Sequence, residues 1–412
     1  MRPGPVDGLP KAAQRRRTRC SVPGLSLCLL LVGLLFLAAL PSDAAAQRLE
    51  PCRQPQSVCN ARRAVFQVTA VEKVFSAVRI GTDVLVTNRH NIADESLVVV
   101  AGPDGRVLQG QPVASAYKGD LALIFVQGLP KGPILSYRRP GTYEGPLYTI
   151  GYDETGRTVR SYQAGELLVP LADGEPLARY QTSADSRKAN EGGALVDESG
   201  KLLGIVVKGG NGGTDAIPVQ AVGRLYRKSG NDFAKVDAEI GAAYRICGTL
   251  LERFEADLHL MSYEQSETML SACKITNNRD YLERVGAIMV EIGDYEQAVA
   301  LLKAAVAQDS QAVEPRIGLA KAYHEAGQFQ NEMPHLEWLL GVIPWNFEIL
   351  LLSIQAGKWG GNPDLAEAAY SLLVEYYQDR AEDARDFLDD TVSKDNSLAE
   401  EVAPTQKAPA EQ

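Results

Sequence analysis

The chain has 412 residues, 45% hydrophobic and 23% charged, which is enough apolar material for two or three folded units and too much for a disordered polymer. Thirty-seven glycines and 22 prolines without a fixed period exclude a collagen-like rod. A formal charge of -10, from 42 basic and 52 acidic residues, disfavours nucleic acid as a partner.

Residues 1–47 read as an export address. A basic cluster (Lys11, Arg15, Arg16, Arg17, Arg19) precedes an apolar run at 24–40, and small residues ending in Ala46 follow, the order of a secretory signal peptide. The expected location is periplasmic or secreted. The competing reading is a membrane anchor retained at 24–40, and membrane contact is expected only in that case. Residues 48–63 form a lead segment.

Four cysteines lie beyond the signal: Cys52, Cys59, Cys247 and Cys273. An exported chain meets an oxidising compartment, so disulfides are expected. Of the three possible connectivities, local loop closure favours Cys52 with Cys59 and Cys247 with Cys273, the second stapling a helical hairpin. Four buried or free thiols are the alternative.

From residue 64 to 228 short apolar runs alternate with turn residues. Strands are expected at 64–68, 84–87, 97–101, 121–126, 147–150 and 202–207, broken by stretches such as Pro103-Asp104-Gly105 and Pro140-Gly141. Many short strands of this kind suggest antiparallel barrels or a sandwich. From 229 to 378 the pattern becomes helical, for example over 238–260 and 281–307. An acidic tail at 379–412, with Ala403-Pro404-Thr405-Gln406-Lys407-Ala408-Pro409-Ala410 near its end, has too little apolar surface to order itself.

Within the helical part, Gly293-Asp294-Tyr295 returns 34 residues later as Gly327-Gln328-Phe329. With Ala298 and Pro344 at their places, this resembles the tetratricopeptide repeat over about 279–378, and the resemblance implies a surface that holds peptides or other proteins. A third unit, at 351–376, reads as degraded by the insertion Lys358-Trp359-Gly360-Gly361. A plain helical cap on the first domain is the alternative.

Three separate stretches carry the chemistry. His90 ends the strand Leu85-Val86-Thr87-Asn88-Arg89-His90, Asp120 opens Asp120-Leu121-Ala122-Leu123, and Glu191 sits in Ala189-Asn190-Glu191-Gly192-Gly193. Singly, each has a plain structural reading. In this order and context they resemble the trypsin-like peptidases, nearest to the Do-type periplasmic branch. That resemblance implies an all-β double barrel of the chymotrypsin type, followed here by an all-α repeat domain. It also implies His90 as general base, Asp120 as the acid orienting it, Glu191 at the place of the nucleophilic serine, and the amides of Ala189 and Glu191 as the oxyanion hole.

The departure at Glu191 governs the expected function. Acyl transfer by this machinery needs a hydroxyl that histidine can deprotonate. Glutamate offers none, and its carboxylate would pair with the imidazole and raise the pKa of the base. Ala189 also places a methyl where the family favours glycine. The expectation is a catalytically silent peptidase homologue that binds or scaffolds proteins or peptides. The alternative is a serine-type endopeptidase with a rearranged nucleophile, from Ser186 or Ser199. A lesser alternative is a metal held by His90, Asp120 and Glu191; otherwise no metal or cofactor is expected.

Overall fold

The computed structural model of the chain describes residues 51–70, 73–138, 143–207 and 213–390. The expected signal peptide, with its cleavage site, lies outside them.

Six strands, β1 (Val65–Ala70), β2 (Lys73–Arg79), β3 (Val84–Thr87), β4 (Val98–Ala101), β5 (Val107–Val113) and β6 (Ala122–Phe125), close a barrel in the order β1-β2-β3-β6-β5-β4. Alternation directs Phe66, Val68, Phe75, Leu85, Val100 and Ile124 inward, where they form one buried cluster. Each such side chain contributes about 1.5–3 kcal/mol of burial. Seven more strands, β7 (Leu147–Asp153), β8 (Thr158–Ser161), β9 (Leu167–Val169), β10 (Tyr180–Thr182), β11 (Ala194–Asp197), β12 (Leu202–Val207) and β13 (Thr214–Pro218), pair in the order β8-β7-β11-β12-β13-β10-β9. This second sheet is a half-barrel: its edges, β8 and β9, are not paired with each other among the described residues. A second cluster runs from Val78 and Val86 of the barrel to Ile150, Ala194 and Ile205 of the sheet, so one core cements the two halves. Two antiparallel β halves with a site between them are the arrangement of the chymotrypsin fold.

The lead segment is not idle. Helix α1 (Gln56–Ala61) buries Val58 and Ala61, the Cys52–Cys59 disulfide closes the loop before it, and the Ser57 hydroxyl donates to the Glu198 carbonyl. Two more helices belong to the β half: the single turn α2 (Arg89–Ile92), which carries His90, and α3 (Gln220–Arg227).

The helical part consists of antiparallel pairs. Helices α4 (Ala234–Ala256) and α5 (Tyr263–Thr276) are stapled by Cys247–Cys273, the pairing that loop closure favoured. Then follow α6 (Arg279–Glu291) with α7 (Tyr295–Val306), α8 (Val313–Glu325) with α9 (Phe329–Val342), and α10 (Phe347–Gly360) with α11 (Pro363–Tyr376). The third pair corrects the reading of an insertion. Lys358, Trp359 and Gly360 are the last turn of α10, and Gly361 is its left-handed cap at φ 77°. Gly293 (φ 80°), Gly327 (φ 66°) and Gly361 hold the same turn at the same 34-residue spacing, a conformation that glycine adopts without steric cost. Part of the expected tail is helical. Helix α12 (Ala381–Asp389) buries Ala384, and Phe387 and Leu388 pack with Leu373, because those three apolar residues share one face. Residues 391–412 lie outside the described residues.

The helical part docks on the β half through charge. Buried Arg89 donates to the Asp237 carboxylate of α4 at 2.6 Å and to its carbonyl at 3.1 Å. Arg279 of α6 pairs with Asp309 at 2.8 Å and with Asp215 of β13, and Arg179 pairs with Asp280 at 2.8 Å.

Candidate functional site

Strand β3 delivers the chain to α2, whose turn swings His90 toward the groove between the β halves. Asp120 stands two residues before β6, the hydrogen-bonded neighbour of β3, so strand pairing alone brings the two together. The contact is double: the His90 amide donates to Asp120 Oδ1 at 2.9 Å, and His90 Nδ1 lies 2.6 Å from Oδ2.

Glu191 reaches the same histidine from the second half. Its Oε2 is 3.0 Å from His90 Nε2, so the three side chains form a line with the imidazole in the middle. The His90 and Glu191 side chains are each 15% exposed and that of Asp120 only 1%. Burial works against the imidazolium. The charge and hydrogen bond of Asp120, and then the hydrogen bond and charge of Glu191, outweigh it and push the His90 pKa up to about 10. At neutral pH the ring is a cation donating at both ends, with no lone pair left to accept a proton.

The backbone around Glu191 is folded inward. Lys188–Asn190 form a 3-10 turn, and three successive amides are spent within the protein: Glu191 N on the Lys188 carbonyl (3.4 Å), Gly192 N on that of Val206 (2.9 Å) and Gly193 N on that of Asn190 (2.8 Å). Ser76 of β2 locks this shape. Its hydroxyl donates to the Ala189 carbonyl at 2.7 Å, and its amide donates to the Glu191 carbonyl at 2.9 Å. Gly192 adopts φ 82°, and a Cβ there would stand 2.0 Å from the Ser76 carbonyl oxygen. The amide of Glu191, one of the two expected at the oxyanion hole, is thus spent on closing the turn.

The metal alternative fails on geometry. The imidazole stands between the two carboxylates with one nitrogen facing each, so the three groups do not converge on a common point. Among the described residues no group of three His, Cys, Asp or Glu side chains is arranged to hold a metal ion. The substitute hydroxyls are occupied elsewhere. Ser186 Oγ lies 2.8 Å from Thr214 Oγ1, which donates to it, and the Ser199 hydroxyl donates to Asp197 on the turn before β12.

His90 and Glu191 open onto a cleft of about 690 Å³ whose second wall is helical: Glu252 and Glu255 of α4, and Tyr281 and Arg284 of α6. The Tyr281 ring lies 6.4 Å from the His90 ring at 56°. Lys73 of β2 reaches across to Glu252 at 2.5 Å. Sequence reasoning did not find these four helical residues. They belong to no motif, and only the docking of α4 and α6 brings them beside a histidine far earlier in the chain.

Residues 75–205 match the trypsin-like peptidase domain family, and residues 290–330 match the tetratricopeptide repeat. The β half is a trypsin-like peptidase domain. Among characterised relatives, the serine endoprotease DegS of Escherichia coli (strain K12) is 30% identical over 181 residues, covering 39% of this chain and 49% of its own. The serine protease Rv3671c of Mycobacterium tuberculosis (strain H37Rv) is 29% identical over 135 residues, covering 31% and 34%. The chain thus spans half or less of the length of these curated relatives. Among solved structures, the Rv3671c protease in its inactive form aligns with a TM-score of 0.37 at 20% identity, covering 43% of this chain and 98% of that one. The serine endoprotease from Yersinia pestis aligns at 0.36 and 24%, covering 44% and 66%.

Proposed function

We propose that this trypsin-like peptidase domain is catalytically silent, with Glu191 at the place of the nucleophilic serine, His90 and Asp120 as relics of base and orienting acid, and the cleft retained to bind polypeptide. One observation carries the reading: the nitrogen that would activate a hydroxyl faces a carboxylate at 3.0 Å instead. A carboxylate attacks amides poorly, and a histidine held as imidazolium cannot act as general base. The spent amide of Glu191 supports the same reading, since a developing oxyanion would find a carboxylate where it needs a donor. The repeats and the α4–α6 wall add a second surface for protein partners, as helical repeats commonly do.

The two disulfides favour an oxidising, extracytoplasmic compartment. Among the described residues no helix is long and apolar enough to cross a membrane.

The test is a fluorophosphonate probe applied to the purified chain. No covalent label and no cleavage of unfolded casein are expected. Stoichiometric labelling that disappears in His90→Ala would establish a serine endopeptidase with a rearranged nucleophile and overturn the proposal.

A further inference from the structure

We infer that the cleft beside Glu191 receives a cationic group, an ammonium or guanidinium carried by the bound polypeptide. This deepens the reading of a cleft that grips without cutting, and rests on it. Two carboxylates and one imidazolium, Asp120, Glu191 and His90, leave one net negative charge at the back of the cleft. Only Oε2 of Glu191 is taken by the histidine. Its Oε1 has no hydrogen-bond donor among the described residues, although the side chain is largely buried and borders the cleft.

An anion would find no reception there. The amides of residues 191, 192 and 193 all end on carbonyls of the protein, so the turn offers no nest of N–H groups. Three cations bordering the cleft are already matched, Lys73 of β2 by Glu252 at 2.5 Å, Arg284 of α6 by Glu255 at 2.6 Å and Arg187 by Asp185 at 3.7 Å. Lys188 also borders the cleft, but it is exposed and forms no ion pair with Glu191. A cation, in contrast, meets a lone carboxylate oxygen in a cleft that Tyr281 also lines, its ring already carrying the Arg284 guanidinium at 5.8 Å, so the carboxylate is the group that would receive an incoming ammonium or guanidinium.

The experiment uses the full chain and alanine hexapeptides. Three are acetylated, amidated and carry one central Lys, Arg or Glu; a fourth is uncharged except for a free amino terminus. Binding is followed by calorimetry and by the His90 ring resonances, which locate the ligand. At least one cationic peptide is expected to bind tenfold or more tighter than the Glu peptide, and Glu191→Gln is expected to abolish that preference. Side-chain and terminal cations are separated by comparing the blocked Lys and Arg peptides with the unblocked one. Failure of every cationic peptide to bind more tightly than the Glu peptide, no binding by any of the four, or a preference that survives Glu191→Gln would each overturn the inference. Any of these results combined with no fluorophosphonate labelling leaves the silent-cleft reading standing, whereas labelling sinks that reading first.

Discussion

The protonation of His90 is the most consequential measurable quantity in this molecule. Its pKa is about 10 in the folded chain against 6.5 for an ordinary histidine, which corresponds to at most about 5 kcal/mol of preferential binding of the proton by the native state. Because the folded value is the higher one, this stabilisation is fully present below pH 6.5 and is lost as pH rises through 10. Between pH 7 and 9 it falls by about 2.5 kcal/mol. Glu191→Gln keeps the shape of the side chain and removes its charge while leaving Asp120, the larger source of the rise, in place. The His90 midpoint should then drop by about one pH unit or more, and the alkaline loss of stability over the whole titration should shrink by about 1.4 kcal/mol, of which only about 0.3 kcal/mol falls between pH 7 and 9. Titrating the ring carbons and nitrogens by NMR gives the first quantity, and urea unfolding followed from pH 7 to 11 gives the second. A wild-type midpoint near 6.5, or one indifferent to Glu191→Gln, would refute the reasoning that the two carboxylates hold the ring as a cation.

Restoring the serine alone should not restore the enzyme. Glu191→Ser supplies a hydroxyl and frees the base, yet the amide of residue 191 still closes on the Lys188 carbonyl, so peptide hydrolysis should stay at the level of the blank; ready turnover would show that the turn opens by itself. Arg279→Ala strips partners from the buried Asp309 and Asp215 and should cost about 3–5 kcal/mol in urea unfolding, a change under 1 kcal/mol counting against a structural role for that network. Joint replacement of Cys247 and Cys273 by Ala should cost about 3.5 kcal/mol by loop entropy across 26 residues, against about 2.4 kcal/mol for the 7-residue Cys52–Cys59 loop, and denaturation of the two variants tests the order. Gly361→Ala should cost about 1–2 kcal/mol from backbone strain alone, because no atom lies within 4 Å of the added methyl.

What the sequence made legible was local or motif-borne. His90, Asp120 and Glu191 come together as their surroundings implied, since strand pairing and the Gly192 turn are dictated by nearby residues. Among the strands that went unread, three owe their place to their neighbours and not to their composition. β5 contains Gly110 and Pro112, β9 and β10 are three residues each, and all gain their place from pairing in a sheet. The third repeat was misread because Trp359 and two glycines look like an interruption until the 34-residue phase of Gly361 is counted. The helical wall of the cleft was invisible for a stronger reason. Tyr281 meets His90 only after buried ion pairs have seated α6 on β13, and no one-dimensional pattern encodes that meeting.

The bridge from Arg89 to Asp237 has a bearing on how the molecule can be dissected. The Asp237 carboxylate also accepts the amide of Ser115, so one side chain from the second half answers two donors of the first, one of them adjacent to His90. A fragment that stops at residue 229 would take away the partner and the cover of that guanidinium and loosen the turn presenting the imidazole. Loss of ligand capture by such a fragment would therefore report a deformed receptor, and surface substitutions on the repeats are the cleaner scalpel.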